Sequence, residues 1–123
     1  RIAWKGANVD IPSPALHDGK LFLVSQSGIG TVVTSRDGKT LVTGRLEGRT
    51  GKVYASPLIA AGRMYVVSRK RGTFVYSADE KLRLLHRNEL DDESVFNGSP
   101  AVDGPRLFLR SDKFLYCLAT RGV

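Results

Sequence analysis

The chain is poor in the residues on which most reactive chemistry depends: its 123 residues hold one cysteine, two histidines, one methionine and one tryptophan. Cys117 alone excludes an internal disulfide or a multi-cysteine metal cage, and its neighbours Leu115, Tyr116 and Leu118 predict a packed thiol. His17 lies beside Asp18 at a turn and His86 between Leu85 and Arg87, and neither has the spacing of a metal site. The acidic run Asp91-Asp92-Glu93 lacks the alternating ligands and glycine of a calcium loop and reads as a polar connection. No Gly-x-Ser-x-Gly elbow is present, and Gly28-Ile29-Gly30 joins strands with no helix behind it to hold a phosphate. Long apolar runs are absent as well. Leu21 to Val24 is typical, far short of the roughly 20 residues that a membrane helix needs. Arg1-Ile2-Ala3-Trp4 lacks a signal-peptide core and reads as a processed or truncated start.

What the sequence does have is a period. Ser13-Pro14, Ser56-Pro57 and Ser99-Pro100 are 43 residues apart, and each is followed by apolar residues, a turn and a β-branched or aromatic run. Lys20 to Ser25 thus matches Arg63 to Ser68 and Arg106 to Ser111. Repeats of 20 to 50 residues mark solenoids, propellers or arrays. Glycine and proline punctuate the chain too often for helices of ordinary length, so the reading is all-β. The Ser-Pro pair opens a first strand, where proline costs no ladder bond. A turn follows, at His17-Asp18-Gly19 or Ala61-Gly62, and in the last copy Asp103-Gly104-Pro105 predicts a different turn type at the same register. Gly30 to Ser35 aligns with Gly72 to Ser77 at an offset of 42, and Thr40 to Arg45 aligns with Leu82 to Arg87 at the same offset.

Four antiparallel strands per repeat are the blades of a β-propeller. The expected organisation is an outer strand within residues 1–8 (Ile2 to Lys5), blades at 9–50 and 51–93, and a blade at 94–123 lacking its outer strand. That makes twelve strands and about three blades, a partial propeller, since ring closure takes at least about four blades.

These residues resemble the quinoprotein-like, or PQQ-like repeat, β-propeller family. The match runs through Ser13-Pro14, Asp18-Gly19-Lys20-Leu21-Phe22-Leu23, Gly30 to Asp37 and Gly38-Lys39. Trp4-Lys5-Gly6, Arg87 to Leu90 and Leu109 to Cys117 look like the C-terminal blades of planctomycete-type bacterial propeller proteins. The resemblance implies a fourth-strand tryptophan docked between blades. Here Val42 and Leu84 stand near those places and only Trp4 remains, which predicts looser packing between blades. It also implies, in the dehydrogenase branch, a vicinal cysteine pair and calcium ligands; with one cysteine no such pair exists, so no cofactor is expected. A periplasmic or otherwise extracytoplasmic setting comes from the resemblance alone.

The 19 basic and 12 acidic residues give a net charge of +7. The densest cluster, Arg69-Lys70-Arg71, falls on a hairpin tip. It reads first as a solvated, edge-blunting tip and otherwise as a contact for an anion or partner. No recognition helix, zinc finger or RNA-binding signature accompanies it, which argues against nucleic acid. The expected function is a non-enzymatic scaffold binding a protein or other partner through loop tips. Its first partner is the remainder of a propeller or a second copy in a homo-oligomer. The alternative is the C-terminal piece of an extracytoplasmic propeller enzyme of the quinoprotein type.

Overall fold

A computed structural model describes residues 1–7 and 10–119. Eleven strands form three antiparallel sheets with no helix among those residues. The first sheet holds β1 (Ala15–His17), β2 (Lys20–Val24), β3 (Ile29–Thr34) and β4 (Thr40–Arg45). The second holds β5 (Leu58–Ala60), β6 (Arg63–Val67), β7 (Thr73–Ser77) and β8 (Leu84–Asn88). The third holds β9 (Ala101–Asp103), β10 (Arg106–Arg110) and β11 (Leu115–Ala119). Each sheet is a meander of neighbours in chain order, the arrangement of β-propeller blades.

The inner hairpins obey their turn residues. Asp18 (φ 51°) with Gly19 (φ 70°), and Ala61 (φ 51°) with Gly62 (φ 73°), are left-handed at both central positions, the type I′ turn that matches strand twist. In the third hairpin Gly104 (φ 57°) is left-handed and Pro105 is not, which makes a type II′ turn. The registers His17↔Lys20, Ala60↔Arg63 and Asp103↔Arg106 are nevertheless equivalent, as the sequence predicts.

Four expectations need correction. The Ser-Pro pairs precede the first strands, which begin at Ala15, Leu58 and Ala101. Ile2 to Lys5 pairs with no strand, so the described strands number eleven; Trp4 instead donates from Nε1 to Ser35 O at 3.0 Å and lies over Gly38, anchoring the segment to the β3–β4 turn. The third and fourth strands are not aligned at 42. Lys20↔Thr34 is equivalent to Arg63↔Ser77, so β3 and β7 are offset by 43, like β2 and β6. The next turn closes through Thr34 N→Lys39 O in the first sheet and Ser77 N→Arg83 O in the second. The extra residue of the second turn includes left-handed Leu82 (φ 45°), and it moves β8 to an offset of 44 from β4. Finally, Cys117 is exposed rather than packed, because it lies on the outer face of the third sheet, paired across from Phe108.

The sheets stack face to face. Phe22, Val24 and Val32 of the first pack against Met64, Val66, Phe74 and Tyr76 of the second, with Leu46 and Val53 of the linker and Leu82 completing the cluster. Val42 and Leu84, expected at matching positions, come from opposite sheets and meet in this one interface. A cleft of about 120 Å³ lies beside Val42, Gly44 and Leu82. Ala55, Val67, Phe96 and Leu109 form the second interface, with Leu90, Leu107, Tyr116 and Leu118 against it.

Candidate functional site: blade junctions and the loop face

The Ser-Pro period has a mechanical cause. Ser13 N donates to Ser56 Oγ at 2.8 Å, and Ser56 N donates to Ser99 Oγ at 2.9 Å. Each serine hydroxyl therefore receives the amide of the serine one blade earlier, and the following proline, with no N–H, leaves no competing donor. Among the described residues the relay ends with Ser99 N giving no bond and Ser13 Oγ receiving none.

A second set of bonds ties the linkers to the β2–β3, β6–β7 and β10–β11 turns. Val53 N donates to Gln26 O at 2.9 Å and Phe96 N to Arg69 O at 2.8 Å, while Arg69 N donates to Lys52 O at 2.8 Å and Asp112 N to Val95 O at 3.0 Å. Ahead of the first blade, Asp10 Oδ1 takes the Gln26 amide at 2.9 Å in place of a linker carbonyl. Turn residues and linkers thus share one end of the three sheets, and that end is the loop face.

The three adjacent cations of the hairpin tip diverge there. Arg69 is half-buried between blades, its Nε donating to Asn97 Oδ1 at 3.2 Å and its guanidinium 5.2 Å from the Tyr54 ring centre. Lys70 turns to the second junction, where it joins the acidic residues 89 and 91–93 around a cleft of about 320 Å³. Arg71 lays its stem along Gly51 of the first linker. The cluster is therefore one structural residue and two cations in different surroundings.

The cleft has a cause in the repeat. At the first junction Tyr76 donates to Glu47 O at 2.6 Å, and burial, then the Glu47 charge, push its phenol above the ordinary tyrosine range. Met64↔Tyr76 and Leu107↔Leu118 are equivalent pairs, so the shorter, bondless Leu118 stands where Tyr76 does. The hydroxyl reappears one equivalent pair away on Tyr116, which donates to Asp92 Oδ2 at 2.7 Å. Ser111 Oγ also donates to Oδ2 at 2.7 Å, and Ser94 donates to Oδ1 from N at 2.8 Å and from Oγ at 2.6 Å. Asp92 thus clamps the second linker to the third sheet, which the sequence reading missed; the recurrence Ser25, Ser68, Ser111 at 43-residue spacing was its available signal.

Bonds from Ser111, Ser94 and Tyr116, in that order, hold the Asp92 carboxyl well below the ordinary carboxylate range. Its clamping contribution is accordingly complete above the ordinary value of 3.8 and is lost as pH falls from there through the lower folded-state value. Melting temperatures taken down a pH series should fall steeply below about pH 4 and fall less in Asp92→Asn; parallel curves for the two proteins would remove the clamp. Asp37 and Asp79, also lowered, sustain the remaining slope in both.

Among the described residues no group of three His, Cys, Asp or Glu is placed to hold a metal. His17 tilts against the Phe22 ring at 6.3 Å, and His86 is exposed. No described helix is long and apolar enough to cross a membrane.

The third sheet ends the described arc with an open face. Leu115, Cys117, Ala119, Phe108 and Ala101 share it by register with Asp103, Arg106 and Arg110. Leu115 is 72% exposed and Cys117 is exposed, whereas their equivalents Thr73 and Val75, facing the third blade, are 5% and 3% exposed. At the other end Leu16 is 67% exposed, while its equivalent Ile59 packs into the first interface.

No protein-family model matches the chain, and no curated protein sequence matches it. Solved structures do. The crystal structure of BamB from Moraxella catarrhalis superposes on 96% of the chain with a TM-score of 0.71 at 16% identity, and the quinohemoprotein alcohol dehydrogenase ADHIIG from Pseudomonas putida HK5 on 97% with a TM-score of 0.68 at 14% identity. The chain spans 36% of the first and 21% of the second. Both are PQQ-like β-propellers, and the chain has their fold: about three blades of a partial β-propeller.

Proposed function

We infer that the protein is a non-enzymatic interaction scaffold whose blades belong to a larger or oligomeric propeller and whose loop face meets a protein partner in an extracytoplasmic setting of planctomycete-type bacteria. The observation that carries this is the open face of the third sheet, where Leu115 and Cys117 are exposed although their equivalents in the second sheet are buried by the next blade. Exposed apolar residues rimmed by polar ones, here Asp103, Arg106 and Arg110, mark an interaction site. The unmatched Ser99 amide and Ser13 hydroxyl extend the same argument, since they are the two halves of the junction bond repeated inside the chain. The remainder of the propeller or a second copy is the partner that supplies such halves.

Cys117 reports on the proposal directly. In the assembled protein its reaction with a thiol reagent should be strongly slowed, and restored by Phe108→Glu on the same face, while sedimentation gives a mass above 13.5 kDa. A well-behaved monomer of that mass, with Cys117 reacting at the rate of an unfolded peptide, would falsify the assembly reading. The terminal piece of a quinoprotein-type enzyme is the second reading, supported by the superposition on the quinohemoprotein dehydrogenase. It requires a thermal shift on adding quinone and calcium to the assembled protein.

A further inference from the structure

The loop face carries a cationic patch that no sequence run displays. It is assembled from β4, the first linker and the β6–β7 turn. Arg45 Nη1 donates to Ser27 O at 2.9 Å, and a Cβ at Gly28 would lie 3.9 Å from that nitrogen and 3.6 Å from Gly51 O. On the other side of Gly51, a Cβ there would lie 3.2 Å from Arg71 Cδ. Two guanidinium-bearing side chains therefore flank the exposed backbone of Gly51, beside buried Gly28 and the Thr50 hydroxyl. The same linker brings Arg49 and Lys52, and the bond from Arg69 N to Lys52 O fixes it against the turn.

Little opposes this charge. The ion pairs among the described residues are Lys20–Asp18 and Arg87–Glu89, so Arg45, Arg49, Lys52 and Arg71 have none. Glu47, the carboxylate of the linker, is engaged by the Leu84 amide at 3.3 Å. The amides of Gly51 and Lys52 give no hydrogen bond among the described residues, and Gly48, Arg49 and Gly51 are left-handed, at φ 91°, 54° and 69°. Successive free amides between cations form an anion-binding concavity. Guanidinium groups take carboxylates in paired hydrogen bonds, and here two can do so with backbone donors between them.

We propose that this patch binds an acidic, aspartate- or glutamate-rich segment of a protein partner through Arg45, Arg49, Lys52 and Arg71. The proposal rests on the scaffold reading and names the chemistry of its partner. An acidic peptide fits better than single-stranded nucleic acid because the patch presents no free aromatic ring for a base to stack on; the nearby Tyr54 ring is covered by Arg69. Lys70 has no part in it, since it faces the carboxylates of the second junction.

Titration of the protein into fluorescein-labelled hexaglutamate at low salt, followed by anisotropy, tests the proposal. Saturable binding is expected, weakened about tenfold or more when Arg45→Gln and Arg71→Gln are combined. Arg49→Gln with Lys52→Gln, whose side chains make no bond in the fold, should weaken it about threefold at an unchanged urea midpoint. Lys70→Gln should leave it unchanged. Absence of binding, an equal loss in Lys70→Gln, or tighter binding of a single-stranded DNA oligonucleotide that displaces the peptide would each overturn the patch as an acidic-segment site. Shielding of Cys117 is independent of this outcome, so the scaffold reading can survive it.

Discussion

Phe74→Ala is expected to lower stability by about 3–5 kcal/mol, a large part of the roughly 5–15 kcal/mol that holds an ordinary domain together. The ring is fully buried in the first blade interface and is enclosed from several directions. Tyr76 stacks against it with centroids 6.4 Å apart, the Arg87 guanidinium lies 5.4 Å from its centre, and a Cβ on Gly48 would come within 3.0 Å of it. These walls cannot collapse freely. Tyr76 is held to Glu47 O, and the Arg87 Nε to Arg71 O, so the cavity left by truncation stays open and the cost belongs at the upper end. Urea unfolding should show a reduced midpoint with an unchanged slope, which separates lost stability from a changed unfolded state. Phe114→Ala, at a ring 59% exposed, is the matching control and should move stability by less than about 0.5 kcal/mol. Equal effects at the two positions would mean that the blade junction is not the cooperative core.

The same junction shows how far the sequence could be read. The blade repeat and the turn-type change at Gly104-Pro105 were legible because turn chemistry and strand period are local. The third and fourth strands were misaligned because glycine and charge patterns, Gly30-Thr31 with Gly72-Thr73 and Asp37 with Asp79, matched at 42 while the strand ladder runs at 43 and then 44. In the fourth strand the slip is two residues across a bulge, which makes Val42 equivalent to His86 and Leu84 to Thr40, so Val42 and Leu84, assigned one role, lie on opposite faces of their own sheets and meet in one interface. The role of the Ser-Pro serines was legible as structural, but not its agent. That agent is a bond from each amide to the next hydroxyl, between residues 43 apart. On the loop face the run Arg69-Lys70-Arg71 was conspicuous because its charges are contiguous, yet a turn points successive side chains in different directions. Arg45, Arg49 and Lys52 come to Arg71 only once the linker is pinned by Arg69 N and Lys52 O.

Gly72→Ala is expected to cost about 2–6 kcal/mol, the sum of backbone strain and overpacking. Gly72 sits at φ 96°, beyond where an L side chain is at ease, immediately after the turn that carries Arg71. Its missing Cβ would fall on the carbonyl oxygen of Asn88, with Glu89 Cγ only 3.0 Å away. That oxygen belongs to the end of β8, whose Asn88 pairs with Thr73, so it cannot retreat without opening the β7–β8 ladder. Gly62→Ala separates the two contributions, because Gly62 is also left-handed, at φ 73°, but has nothing within 4 Å of a Cβ. It should cost about 1–2 kcal/mol, the left-handed penalty alone. If both variants lost the same amount, the close approach of β8 to the turn would be refuted. If Gly72→Ala alone loses more, the turn that aims Arg71 at the first linker depends on a backbone position where only glycine fits.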